Sequence, residues 1–211
     1  VSLVRKFIVE NIMPVYNEET GKGLIRHIVI RTRYYTDEIM VCLVVNSNNF
    51  KYKNRLIETL KPIEGIKSIV INYNTARTNV ILGQKCETIY GNDYITDKIG
   101  DLKFKISPLS FFQVNPQQTY KLYSKALEFA DLKGDETVID AYCGIGTISL
   151  FLAQRAKEVY GIEIVPQAIE NAIENAKLNN IENAQFYTGK SEDIVPELYN
   201  TKGIKPDIMV V

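Results

Sequence analysis

The sequence is poor in the residues from which metal centres, disulfide frameworks and membrane anchors are built. It has three cysteines and one histidine among 211 residues. Cys42, Cys86 and Cys143 stand far apart with no C-x-x-C pair, so neither a disulfide framework nor a zinc or iron–sulfur site is supported. His27 alone supports no histidine-based metal site. No apolar run approaches the length needed to span a bilayer, and Val1-Ser-Leu-Val-Arg-Lys lacks the apolar core and cleavage site of a secretory signal. A soluble, cytoplasmic, monomeric protein is the expectation.

Net charge is also lacking. The formal charge is +0, which argues against a protein that coats nucleic acid indiscriminately. The charge is nevertheless unevenly placed: residues 1–105 hold 16 Lys+Arg against 11 Asp+Glu, and residues 106–211 hold 9 against 14. A basic front half suits phosphates, and an acidic back half suits a cationic small molecule, although two ordinary surfaces would give the same difference.

What is present is centred on Thr137-Val-Ile-Asp-Ala-Tyr-Cys-Gly-Ile-Gly-Thr-Ile-Ser-Leu150, which reads as strand, glycine loop and helix. Val138 and Ile139 suit a buried parallel strand, and Asp140 ends it where such a sheet opens its ligand crevice. Gly144 and Gly146 allow a sharp turn and close approach of a ligand to the backbone. The third glycine of a dinucleotide fingerprint would fall at Ser149, and no G-x-x-x-x-G-K-[ST] phosphate loop exists. A second strand, Val159–Glu163, ends in a carboxylate about twenty positions beyond the loop, the spacing at which an acid meets a ribose diol. Two acids and no phosphate-binding motif suit S-adenosylmethionine. Any doubly wound domain has glycines after its first strand, so the loop alone does not decide the cofactor.

The signal is longer than the loop. Asp140-Ala-Tyr-Cys-Gly-Ile-Gly, Gly161-Ile-Glu163 and Ala168-Ile-Glu-Asn-Ala-Ile-Glu-Asn-Ala-Lys-Leu-Asn-Asn180 resemble the class I S-adenosylmethionine-dependent methyltransferases. With Ser110-Phe-Phe-Gln-Val-Asn-Pro-Gln117 upstream, the chain is similar to the RNA uracil-C5 methyltransferase family from about Gly23 to Val211. The expected fold is therefore α/β: residues 1–106 form a central α+β RNA-contacting domain, and residues 107–211 the N-terminal part of a Rossmann-like methyltransferase domain, incomplete at its C-terminus.

The resemblance implies roles for particular residues. Phe111 would line the pocket for a flipped-out uracil, as aromatic rings commonly stack splayed RNA bases. Gln113 would hydrogen-bond the methionine part of the cofactor, Tyr142 would pack against the cofactor, Glu163 would hold the ribose hydroxyls and Asp140 would support the loop. Arg26 and His27, clustered with Arg31 and Arg33, read equally as a solvated strand face, and the resemblance tips them towards RNA. The substrate implied is RNA, 23S ribosomal RNA ahead of transfer RNA, with 5-methyluridine as product. Methylating carbon 5 of uracil requires a thiolate at carbon 6 and a general base. In this family both lie beyond the fourth strand, so the chain is expected to be a piece without its own catalytic residues and inactive by itself. Cys143 is rejected as nucleophile because it sits in the cofactor loop. Another S-adenosylmethionine-dependent methyltransferase, acting on RNA or a small molecule, and a non-catalytic RNA-binding protein remain the alternatives.

Along the chain, strands are expected near 24–33, 38–46, 66–72, 80–82, 83–91, 101–106, 137–139, 159–163, 185–189 and 206–211. Helices are expected at 51–60, 117–130, from Ile148, and at 166–178, and Lys190–Asp193 as a loop with Lys190 or Ser191 near an adenine.

Overall fold

Between Ile25 and Gly91 the β-branched runs assemble one mixed sheet, seen in a computed structural model that describes residues 1–211. An opening helix α1 (Ser2–Glu10) precedes β1 (Ile25–Thr32) and β2 (Ile39–Val45), an antiparallel pair. Helix α2 (Lys53–Leu60) then crosses over to β3 (Ile66–Tyr73), parallel to β2, and β4 (Lys85–Gly91) returns antiparallel, giving the order β1-β2-β3-β4. Alternation along the strands puts Val41, Leu43, Val45, Ile69 and Ile71 in one core with Val4, Phe7 and Ile8 of α1 and Leu56 and Leu60 of α2.

Residues 80–82, expected as a strand, are not one. Val80 and Ile81 are exposed in an irregular loop between β3 and β4. Their apolar run imitates a strand, but backbone and side-chain groups of neighbouring residues hold the segment in a turn instead.

The second half begins with a hairpin, β5 (Ile95–Ile99) and β6 (Leu102–Ile106). After the helix α3 (Pro116–Ala130) come β7 (Thr137–Asp140), α4 (Thr147–Ala153), β8 (Glu158–Glu163), α5 (Pro166–Leu178), β9 (Ala184–Thr188), α6 (Ser191–Lys202) and β10 (Ile208–Val210). These four strands are all parallel, in the order β10-β7-β8-β9. Val138 and Val159 pack with Leu152 and Ala153 of α4 on one face, while Ile139, Tyr160 and Ile162 pack with Leu198 of α6 on the other. The strands are apolar on both sides because both sides are covered. Asn115 caps α3 by accepting from the Gln118 amide at 3.0 Å, with Pro116 in the first turn. Residues 190–193, expected as a loop, instead open α6, with Glu192 and Asp193 in its first turn.

The chain divides into two compact units, residues 1–96 with 107–109 and residues 97–106 with 110–211. The sequence reading gave residues 97–106 to the front part, whereas the contacts give them to the back. The cause is visible in α5 and in the ring of Phe104, which packs 5.9 Å from that of Phe112.

Candidate functional site

Three parallel strands end side by side and supply the site. Asp140 at the end of β7 pairs in register with Gly161, and Glu163, two residues further along β8, pairs with Thr188 of β9. The loops that follow enclose a cleft of about 470 Å³ lined by Ala141, Tyr142, Ile164, Gly189, Lys190 and Ser191, closed by the first turn of α6. That is the size range of small-ligand sites, placed where open α/β sheets bind ligands.

The glycine loop owes its shape to its sequence. Gly144 (φ +54°) and Gly146 (φ +82°) occupy the left-handed region. A Cβ on Gly144 would meet nothing within 4 Å, so that side of the loop is open to a ligand, whereas one on Gly146 would lie 3.2 Å from Ala172 and from the Phe186 ring. Gly161 is tighter still, with a Cβ falling 2.6 Å from Phe186.

Asp140 is buried and accepts from Ser149 Oγ at 2.5 Å and from the Tyr142 amide at 3.4 Å. Burial pushes its carboxyl up to about 6, against the lowering effect of the Ser149 hydroxyl. Glu163 is half-buried, and one of its oxygens accepts the Val165 amide at 3.0 Å, which fixes the turn into α5. The Ser191 hydroxyl donates to the Ala141 carbonyl and closes the loop after β9 onto the loop after β7. Tyr142 stands 62% exposed on the cleft wall, an apolar face offered to solvent.

The structure therefore brings Asp140, Tyr142, Gly144, Gly146 and Glu163 to one sheet edge, with Lys190 and Ser191 lining the cleft beside them. Gln113 is half-buried and is not on the cleft wall. The two phenylalanines of the Ser110–Gln117 block part company: Phe112 is buried against Phe104, whereas Phe111 is 75% exposed. His27 is half-buried on β1.

Arg26 does something other than expected. Its side chain is only 1% exposed, and its guanidinium donates to the carbonyls of Asn74 (3.0 Å), Ala76 (2.7 Å) and Thr78 (3.2 Å) while lying over the Tyr16 ring. It is committed to its own chain and offers RNA nothing directly.

None of the three thiols is poised for nucleophilic attack. Burial pushes Cys42 up to about 12 and raises Cys86 and Cys143 as well, Cys143 further through the nearby Asp140 and Glu163 charges.

Sequence reasoning missed a row of asparagines on α5. Asn175 is wholly buried; its Oδ1 accepts the Lys105 amide at 2.8 Å, and its amide donates to Ile145 O at 3.1 Å and Lys105 O at 3.5 Å. Four residues on, Asn179 accepts from the Lys103 amide at 2.8 Å and donates to Lys103 O at 2.6 Å. Four residues earlier, Asn171 donates to Ser110 Oγ at 3.1 Å. Four helical residues advance about 6.0 Å and two strand residues about 6.6 Å, so the side-chain amides of Asn175 and Asn179 match the spacing of Lys105 and Lys103 along β6, while Asn171 reaches the segment beyond it. Asn175 thereby joins β6 to the glycine loop. The available signal was asparagine at 171 and 175 inside a helix, where its propensity is poor, repeated four residues on at the C-cap, Asn179.

The four parallel strands with helices on both faces and a cleft at their ends form a Rossmann-like fold of the kind that methyltransferases have. The family model described as "Methyltransferase domain" matches residues 132–210. Over its whole length the chain is homologous to bacterial proteins named as RNA methyltransferases: it is 51% identical to one from Clostridium tetani and 54% identical to one from Clostridium acetobutylicum, covering 100% of this chain and 46% of each relative. The chain thus spans about half the length of the curated relatives it matches. Among solved structures it is similar to the Pyrococcus abyssi tRNA (uracil-54, C5)-methyltransferase in complex with S-adenosyl-L-homocysteine, with 28% identity and a TM-score of 0.73 over 90% of this chain and 45% of that one.

Proposed function

We propose that the protein methylates carbon 5 of uracil in RNA with S-adenosylmethionine as methyl donor, and that this chain supplies the cofactor-binding half. The observation that carries the reading is the cleft at the ends of β7, β8 and β9, with an open-sided glycine, an exposed tyrosine ring and a carboxylate at the end of the second strand. The fit is chemical: carboxylates suit a ribose diol and a sulfonium, and the site has no phosphate-binding loop to favour a dinucleotide.

When bound, S-adenosylmethionine supplies the methyl group. Tyr142 covers the adenosine part, and Glu163 accepts the ribose hydroxyls from the end of β8. Asp140, in hydrogen bond with Ser149, holds the loop between them, and Gln113 would hydrogen-bond the methionine part of the bound cofactor. Exposed Phe111 stacks on the uracil once it leaves the RNA strand. Attack at carbon 5 needs a thiolate adding to carbon 6. Burial raises all three thiols here, so none of them is assigned the role of that thiolate.

Calorimetry with S-adenosylhomocysteine tests the cofactor reading, with Glu163→Gln expected to weaken binding roughly tenfold or more, the size of one charge-assisted hydrogen bond. Nucleoside mass spectrometry of RNA treated with the full-length protein tests the reaction. The expected product is 5-methyluridine in 23S ribosomal RNA; the same nucleoside confined to transfer RNA would move the substrate, and methylation at a nitrogen or oxygen would overturn the proposal.

A further inference from the structure

The loop between β3 and β4 is built at unusual expense for a segment that covers little of the core. Three buried polar side chains, Arg26, Asn72 and Asn74, are spent on its backbone. Arg26 takes the carbonyls of residues 74, 76 and 78. The Asn74 amide donates to the carbonyls of Val80 (2.8 Å) and Ile81 (3.1 Å), and its Oδ1 accepts the Ala76 amide at 3.2 Å. Asn72 closes the base, accepting from the Gly83 amide and donating to the Gly83 carbonyl, each at 2.7 Å. Burying polar groups in this way costs stability, all the more because Arg26 Nε is left without a partner, and a loop needs no such scaffold merely to connect two strands.

The scaffold turns the side chains of the loop outward. Every residue from Thr75 to Ile81 is exposed, Val80 at 55% and Ile81 at 49%. Thr75, Thr78 and Asn79 carry the donor types that contact phosphate and sugar; Arg77 donates one N–H to the Thr20 carbonyl at 2.8 Å and keeps its remaining N–H groups at the exposed surface, and Val80 and Ile81 offer apolar surface to base faces. Residues 65–86 contain no Asp or Glu but include Lys67, Arg77 and Lys85. Glu18 lies 3.9 Å from the buried Arg26 guanidinium at the base of the loop, and Glu87 on β4 is neutralised by Lys53 at 2.7 Å.

We propose that the 75–82 loop is a preorganised RNA-contacting surface of the first unit. The assignment rests on the RNA-methylation reading and names the surface that holds the strand there. A loop already fixed in its bound shape loses little conformational entropy on binding, which is the benefit the buried scaffold confers. Arg26 thus serves RNA indirectly, as a positioning residue behind the loop.

The test is fluorescence anisotropy with a single-stranded, uridine-containing RNA oligonucleotide over a salt series, using this chain and two variants. Asn79→Asp is isosteric, exposed and outside the scaffold, and Arg77→Ala removes the one cation of the loop. Asn79→Asp is expected to weaken binding roughly tenfold at low salt, and Arg77→Ala to lower the slope of log K against log salt by about 0.7. Both should keep the wild-type melting temperature and affinity for S-adenosylhomocysteine. Variants that bind RNA as the wild type does, while Phe111→Ala weakens it, would overturn the loop assignment and leave the methylation reading standing. A wild-type chain without salt-dependent RNA binding would overturn both, and a partner protein captured by the loop in place of RNA would overturn the assignment. Cross-linking to 4-thiouridine RNA gives a second readout, with adducts expected on the peptide spanning 74–85.

Discussion

Replacing Asn175 by Ala removes the middle rung of the asparagine row, and the structure sets the size of the effect. The side chain is 0% exposed and serves three backbone groups, the Lys105 amide, the Ile145 carbonyl and, at longer range, the Lys105 carbonyl. A buried polar group left without its partner costs about 1–3 kcal/mol, so two such groups cost about 2–6 kcal/mol. Alanine returns roughly 0.5 kcal/mol of helix propensity, which leaves a net loss of about 2–5 kcal/mol. Asn179 makes bonds of 2.8 and 2.6 Å to Lys103, but at the exposed end of the row, where water replaces the lost partners. Asn179→Ala should therefore cost about 1 kcal/mol or less. Because the chain has two units, hydrogen exchange is a better assay than a single melting curve. Asn175→Ala should speed exchange in peptides covering both 102–106 and 143–147, whereas Asn179→Ala should affect the hairpin alone. Equal effects from the two substitutions, or an unchanged glycine loop in Asn175→Ala, would refute the idea that this residue joins hairpin to loop.

Gly161→Ala places a Cβ 2.6 Å from Phe186 and 3.0 Å from Cys143, an overpacking expected to cost about 1–3 kcal/mol, with partial recovery when Phe186→Leu is added; chemical denaturation of the single and double variants measures it. Asp140 is raised to about 6 from an ordinary 3.8, so the folded chain holds this proton more tightly than the unfolded one. Its contribution to stability is present below about pH 4 and is lost as pH rises through 6, a difference of about 3 kcal/mol. Asp140→Asn should flatten that part of the pH–stability curve and gain most above pH 6, as denaturation at a series of pH values would show.

Much of the site was legible because its logic is local. A β-branched strand running into Gly144 and Gly146, followed by a second strand ending in Glu163, is written in a few consecutive residues, and hydrophobic periodicity placed most of the elements. Three features were not legible. Arg26 looked like a surface cation because strand alternation does not show that a loop fifty residues downstream will fold over it. Residues 80–82 have strand-like composition, but Asn72, Asn74 and Arg26 bind their neighbourhood into a turn. Lys190–Asp193 read as a loop, since only the return of the chain after β9 shows that α6 starts there.

The sequence by itself determined the strand–loop–helix unit, the parallel character of its sheet and the placement of glycines and carboxylates at the strand ends, because glycine conformation, strand hydrophobicity and carboxylate placement are short-range properties. Tertiary structure alone decided which of two adjacent phenylalanines is buried, which unit holds the hairpin, and what the asparagines of α5 are for. Each of those outcomes depends on which distant backbone groups are brought within hydrogen-bonding or packing distance, and no local pattern encodes that distance.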